Sequence, residues 1–304
     1  MSEAKHDISE KKINNVVVKP FVTADAGKPP RHFDLFGMVE YPNIGIMSKK
    51  GSGKTSVLGT ILTKSIGWGT EVTAFVPTGY QDDAWAKIRN YVQEKPRENC
   101  NKFTLYTEIV DPDTKENHLK ALLEEARRAS KPPEDEEEEE EDQEQQVELP
   151  STHLFPDCND SDQDGKEDED DEKSMLEKVE KKIQRSKKMW PSRIIVFDDL
   201  STDLRNPSVA TLLKYNRHLH AMIIISSHQL TDMTPAAISN LDFVLLFQNV
   251  EESYLLRLKK RVGLRCNDET FMKFYNHATK EKYHFLYINT RDQTFRKDFN
   301  TALS

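Results

Sequence analysis

Residues Ser48 to Thr55 read S-K-K-G-S-G-K-T, and the Gly53-Lys54-Thr55 end of that stretch matches the G-x-x-x-x-G-K-[ST] phosphate-binding loop. Its setting gives the match weight. An apolar run, Ile44-Gly45-Ile46-Met47, precedes it, and a helix-compatible segment, Ser56 to Lys64, follows it. A buried strand, a glycine-rich turn and a helix in that order aim successive backbone N–H groups, together with the positive end of the helix, at one polyphosphate. The expected nucleotide-binding set is Ser48, Lys49, Lys50, Gly51, Ser52, Gly53, Lys54, Thr55 and Ser56. Lys54 is expected to reach the β- and γ-phosphates and the Thr55 hydroxyl to bind Mg²⁺. Ser48 stands where the pattern has its first glycine; serine resists positive φ, so it is expected in an ordinary backbone region while Gly51 carries the unusual one. Surface turns of similar composition exist without a ligand, and the flanking strand and helix argue against that here.

A second chemical centre lies far along the chain. Arg193 to Leu200 reads R-I-I-V-F-D-D-L, an apolar strand ending in two carboxylates. At the carboxyl end of a buried parallel strand, Asp198 is placed to hold Mg²⁺ through its water shell and Asp199 to orient or deprotonate an attacking water. An acidic pair after an apolar run also serves as a cap or as surface charge; its coupling to the Ser48–Thr55 loop favours the metal and base roles. A further run, Ala221 to Ser226, leads into Ser227-His228-Gln229. Gln229 is expected to sense the γ-phosphate or the water, the alternative being that Gln229 and His228 cap the following turn.

Between these centres the chain alternates strand-like and helix-like segments. Val72 to Val76 reads as a buried strand, broken by Pro77-Thr78-Gly79. Trp85, Ile88 and Val92 have helical spacing, with Asp82 or Asp83 able to cap. Phe103 to Ile109 reads as a strand and His118 to Arg128 as a helix. Ile194 to Phe197, Met222 to Ile225 and Phe243 to Phe247 are continuous apolar runs, and Tyr283 to Phe299 mixes aromatics and charges like a terminal strand or two. Short apolar runs separated by helices predict an α/β fold of the P-loop type, with a mostly parallel central sheet covered by helices on both faces.

The 304 residues suffice for one large domain with an insertion. Residues 134 to 172 hold 21 Asp/Glu against the single Lys166, a local charge of −20. The whole chain carries −9, so the remainder is a basic body of +11, as a polyanion-binding protein requires. Glu134 to Asp142 is acidic throughout, and such a stretch cannot bury enough apolar surface to fold. The expected organisation is an N-terminal arm over 1–32, containing Val16-Val17-Val18 as a short edge strand, an ATPase-type body over 33–133 and 173–304, and an acidic, disordered insertion over 134–172. The insertion reads either as a solvated spacer or as a segment that mimics a polyanion. Ser174 to Lys188 is helical in composition. Cys100, Cys158 and Cys266 lack zinc or disulfide spacing and fit a reducing, intracellular setting. No apolar run approaches the roughly 18 residues of a membrane span, and Met1 to Lys12 is polar, without a signal-peptide core; no membrane partner is expected.

The S-G-K-T loop, F-V-P-T-G-Y-Q-D-D-A-W at Phe75 to Trp85, the Asp198-Asp199 strand end, and N-R-H-L-H-A-M-I-I-I-S-S-H-Q at Asn216 to Gln229 together resemble the DNA-packaging ATPases of large double-stranded DNA viruses and related transposons, the poxvirus-type branch of the FtsK-HerA superfamily. The resemblance covers about Asn43 to Phe247. It implies a homo-oligomeric ring that uses ATP and Mg²⁺ to drive double-stranded DNA into a capsid, with a capsid or portal protein as partner, at sites of virion assembly in the host cytoplasm or nucleus. It also implies an arginine supplied by a neighbouring subunit. Arg217 sits in the matching block, whereas Arg205, Arg257 and Arg261 are possible from position alone. Relatives often carry arginine just before the Asn that follows the Gln motif; here Ser239 precedes Asn240.

Arg257, Lys259, Lys260, Arg261 and Arg265 form the densest positive run. On a helix they read as a DNA-backbone contact or as a solvated charged face. Two other function classes compete with a DNA motor: a nucleotide-switched binding protein, and a small-molecule P-loop kinase, which would need an acceptor pocket and an arginine-rich lid.

Overall fold

The computed structural model describes residues 29–67, 69–94, 101–129 and 191–304. Its strands are β1 (Asn43–Met47), β2 (Glu71–Phe75), β3 (Lys102–Tyr106), β4 (Arg193–Asp198), β5 (Ala221–Ser227), β6 (Phe243–Phe247), β7 (Phe285–Asn289), β8 (Thr294–Lys297) and β9 (Thr301–Leu303). They form one sheet in the order β3-β2-β4-β5-β1-β6-β7-β8-β9. The first six are parallel, and β7 to β9 add an antiparallel meander on one side.

The apolar runs are continuous because both faces of the sheet are covered, so inward and outward positions are equally buried. The helices are α1 (Phe33–Phe36), α2 (Lys54–Ser65), α3 (Asp83–Glu94), α4 (Lys120–Ala129), α5 (Pro207–Tyr215), α6 (Pro235–Ile238), α7 (Glu252–Arg261) and α8 (Asp268–Ala278). Ile44, Ile46, Ile194, Val196, Met222 and Ile224 pack with Leu58, Ile61 and Leu62 of α2 and Trp85 and Val92 of α3. Their strand neighbours Ile195, Phe197, Ile223 and Ile225 point the other way, onto Val209, Leu212 and Leu213 of α5 and Leu255 and Leu258 of α7. Fully burying one such aliphatic side chain contributes about 1.5–3 kcal/mol, and the period-2 split distributes that gain over two layers.

Several expected boundaries shift, each for a local reason. The strand expected over Phe103 to Ile109 ends at Tyr106. Beyond it Asp111 accepts hydrogen bonds from the N–H groups of Asp113 and Thr114 at 2.9 and 2.8 Å, which folds the chain into a turn closed by a bridge between Val110 and Asn117. The helix expected from His118 begins at Lys120, where Asn117 Oδ1 accepts from Leu119 N at 2.9 Å. Asp82, one of the two candidate caps, accepts from Ala84 N at 2.8 Å at the start of α3. The segment Tyr283 to Phe299 holds two strands, β7 and β8, as expected, and a third follows it. Asp298 at φ 54 turns the chain, and Thr301–Leu303 then pairs with β8. Val16 to Val18, the segment 134–172, Ser174 to Lys188, Cys100 and Cys158 lie outside the described residues. Among the described residues no helix is long and apolar enough to cross a membrane.

Asn43 fastens the amino edge of the sheet. Its Nδ2 donates to the carbonyls of Leu213 (2.9 Å) and Asn240 (3.0 Å), and its backbone N–H donates to Asp242 Oδ2 at 2.9 Å. Asp242 Oδ1 in turn pairs with Arg291 at 2.6 Å. With that edge tied, the carboxyl ends of β1, β4, β5 and β6 all open on the opposite side, where ligands of parallel α/β sheets collect.

Candidate functional site

The loop after β1 is built by its glycines. Gly51 has φ +76 and Gly53 φ +95, conformations that L side chains rarely adopt, while Ser48 stays in ordinary backbone space as its side chain requires. Ser48 N–H continues the sheet by donating to Ser227 O at 3.1 Å, and Ser52 N–H closes the turn on Lys49 O at 3.3 Å. Gly53 then caps α2, and Ser56 N–H returns to its carbonyl at 3.1 Å. Among the described residues no hydrogen bond uses the N–H of Gly51, Gly53, Lys54 or Thr55. These unpaired donors at the positive end of a 12-residue helix form the anion cradle that the sequence predicts. Helix α2 begins at Lys54 rather than Ser56; Thr55 is half-buried and Ser56, Lys49 and Lys50 are exposed at the rim.

Lys54 reaches across the carboxyl end of the sheet to both carboxylates after β4. Its Nζ lies 3.7 Å from Asp198 Oδ1 and pairs directly with Asp199 Oδ1. In an extended strand, side chains 198 and 199 would point to opposite faces. Asp199 escapes that alternation through φ 57, a left-handed conformation that Asp tolerates better than most residues. The kink turns its carboxylate back to the face of Asp198, and Asp199 N–H still donates to Ser226 O at 3.2 Å.

Asp198 is 5% exposed. Its Oδ2 accepts from Trp85 Nε1 at 3.0 Å, while its Oδ1 is buried and has no hydrogen-bond partner. A buried carboxylate oxygen left open beside a phosphate loop is suited to a cation's water shell, so the donors present fit Mg²⁺, with Asp198 and Thr55 as the groups that would hold it. No group of three or more His, Cys, Asp or Glu suited to a protein-only metal cage occurs among the described residues.

His228 ties the two halves of the site together. Its Nδ1 lies 2.8 Å from Ser48 O and its Nε2 3.0 Å from Asp199 Oδ1. The ring thus lies between a backbone carbonyl and a carboxylate, one on each nitrogen. The sequence offers His228 only as a turn cap; its role as a bracket between loop and carboxylate depends on β1 and β5 being neighbours. Trp85 stands in the sequence in a helical apolar stripe and at the end of the Phe75–Trp85 block, and neither gives the partner of its indole N–H.

Gln229 lies at the same edge, at the exit of β5. Its backbone caps the turn, with N–H to Ser227 Oγ at 3.2 Å and to Asp232 Oδ2 at 3.1 Å, and its side-chain Oε1 accepts from Thr231 Oγ1 at 3.2 Å. Arg205 is also at this edge, donating to Thr231 O at 2.9 Å. Arg217 is not brought to the loop of its own chain. It lies in the turn before β5, whose seven residues separate it from the carboxyl edge by about 3.3 Å each.

The basic run divides. Arg257, Lys260 and Arg261 of α7 line a cleft of about 710 Å³ with Pro235, Ala236 and Ser239, whereas Lys259 turns away to pair with Asp268 at 2.7 Å. The Arg257 guanidinium lies 4.6 Å over the Tyr254 ring. At the other side of the phosphate loop, Tyr283 packs on Gly53: a Cβ there would meet the tyrosine Cδ1 at 3.1 Å.

No protein-family model matches the chain, and no curated protein does. Among solved structures it is similar to the DNA-packaging ATPase B204 of Sulfolobus Turreted Icosahedral Virus, at 13% identity and TM-score 0.45, over 84% of this chain and 96% of that one. The genome packaging NTPase B204 of Sulfolobus turreted icosahedral virus 2 in complex with AMPPCP gives 14% identity and TM-score 0.44, over 86% and 98%. EssC (ATPases 2 and 3) from Geobacillus thermodenitrificans gives 12% and 0.44, over 86% of this chain and 38% of that one. By its own strand order and loop geometry, the chain is an α/β protein of the P-loop NTPase fold whose lysine, twin aspartates and anion cradle meet at one sheet edge.

Proposed function

We propose that the chain is an ATP-hydrolysing motor that translocates double-stranded DNA into a viral capsid, working as a homo-oligomeric ring. The observation that carries the hydrolytic part is the meeting of Lys54, Asp198 and Asp199, residues about 145 positions apart, at an open anion cradle. In this scheme the loop amides and Lys54 hold the β- and γ-phosphates. Asp198 and Thr55 are the residues that would hold Mg²⁺, which would supply neutralisation of phosphate charge. Nucleotide binding draws Lys54 away from Asp199 toward phosphate, which frees that carboxylate to accept a proton from water. His228 keeps it aimed, and Gln229 contacts the γ-phosphate or the water. Arg217, far from the loop of its own chain, acts only on a neighbour's nucleotide, stabilising charge on the transferring phosphoryl group.

The DNA part is supported by the sequence blocks that resemble those of packaging ATPases, by the basic body and by the cleft of Arg257, Lys260 and Arg261. Backbone contacts of this kind carry no sequence information, as suits a motor that moves along any duplex. A capsid or portal protein as docking partner, and virion assembly sites in the host cytoplasm or nucleus as location, belong to the same proposal. ATP turnover by the full chain with and without linear duplex DNA tests it. Stimulation by duplex DNA is expected; slow turnover whatever is added would instead favour a nucleotide switch, and turnover dependent on a small acceptor would favour a kinase.

A further inference from the structure

We propose that Tyr283, backed by Lys282, is the platform on which the nucleobase of the bound nucleotide stacks. This rests on the phosphate loop being a nucleoside triphosphate site, and it adds where the nucleoside end lies and what holds it. Sheet order sets the direction. β5 and β4 lie on one side of β1, and β6 and β7 on the other. Lys54, Asp198, Asp199 and His228 gather on the β4–β5 side, which marks the γ-phosphate end. A triphosphate lying along the loop therefore points its nucleoside toward β6 and β7.

The turn before β7 presents an aromatic ring at that place. Tyr283 is 59% exposed, an unusual setting for a ring that touches the phosphate loop at Gly53. Its backbone is held at φ 74, a left-handed conformation that is costly for a bulky residue and that persists only when its surroundings enforce it. They do. His284 Nδ1 lies 2.6 Å from Asp298 Oδ2 and its Nε2 3.3 Å from Glu281 Oε2, and Phe285 N–H donates to Asp298 Oδ1 at 3.1 Å. The turn is thus pinned on both sides of the tyrosine. Lys282 Nζ sits 4.7 Å from the ring centroid, and a small cavity of about 100 Å³ opens between the ring, Lys50, Ser52, Gln248 and Asn249. The base has the open face of the ring, where offset stacking is favoured.

The competing role for Tyr283 is to buttress Gly53, and the two roles differ in which ligand feels the loss. Isothermal titration of the full chain with Mg-ATP and, separately, with inorganic tripolyphosphate distinguishes them. Tyr283→Leu keeps apolar bulk against Gly53 without a π-face, and Tyr283→Phe keeps the face. The expected result is about tenfold weaker ATP binding by Tyr283→Leu, unchanged tripolyphosphate binding, and near wild-type values for Tyr283→Phe. Equal losses for ATP and tripolyphosphate, or no loss for ATP, would overturn the platform while leaving the phosphate site standing. A wild-type chain that binds neither ligand would overturn the nucleotide site itself and the platform with it.

Discussion

Replacing Trp85 by phenylalanine removes one N–H from a buried carboxylate. Trp85 is 1% exposed and Asp198 5%, and the indole donates to Asp198 Oδ2 at 3.0 Å. A hydrogen bond to a charged group contributes about 1.5–3 kcal/mol. The smaller ring also leaves a cavity, for which on the order of 1 kcal/mol is expected. Trp85→Phe should therefore lose about 3 kcal/mol of stability, less than the roughly 5–15 kcal/mol of a typical domain, and remain folded. The functional effect is separate. Without the indole, Asp198 can rotate Oδ1 away from the side on which it is proposed to hold Mg²⁺, and loss of an orienting partner lowers metal affinity or activity by about 10–100-fold. Urea unfolding gives the stability term, and ATP turnover titrated with Mg²⁺ gives the functional one. A variant that loses stability but keeps the wild-type Mg²⁺ midpoint and turnover would show that Trp85 only packs, and would refute the orienting role.

Two further outcomes follow from the charge distribution and from burial. Changing Arg257, Lys260 and Arg261 together to alanine should flatten the salt dependence of duplex DNA binding by about three phosphate contacts, at a log–log slope of roughly 0.9 each, whereas Lys259→Ala, on the other side of α7, should leave the slope unchanged. His32 is buried with Nδ1 unpartnered. Burial lowers its affinity for a proton from the ordinary value of 6.5, against the smaller opposing effect of the Val39 carbonyl. The unfolded chain then binds that proton more readily, so stability should fall as pH drops through about 6.5 and below. His32→Asn should make the decline in melting temperature between about pH 7 and about pH 5 shallower than in wild type.

What the sequence makes legible is what local pattern encodes. The runs Ile44 to Met47 and Phe243 to Phe247 become strands β1 and β6, because each is a short apolar stretch bounded by turn-forming residues and buried on both faces. The G-S-G-K-T segment predicts its own backbone, since only glycine takes φ near +76 and +95 without penalty. The contacts that complete the site are of another kind. Trp85 and Asp198 are brought together by α3 packing under β4, His228 and Ser48 by β5 lying beside β1, and Tyr283 and Gly53 by a turn entering β7. No period of 2 or 3.6 carries those pairings. The kink at Asp199 is likewise invisible in D-D, which reads equally well as two alternating side chains. Within the basic run, the spacing of 257, 260 and 261 places three cations on one helical face and Lys259 off it, so that division is latent in the sequence and is fixed by the cleft beside α6.

The most direct test of the account is to measure ATP binding and DNA-stimulated ATP turnover on the same preparations of the wild-type chain and of Asp199→Asn. If Asp199 is the base beside a nucleotide held by the loop and Lys54, the variant binds ATP about as well as wild type and loses turnover by at least about 100-fold. Turnover near the wild-type rate in Asp199→Asn would contradict it.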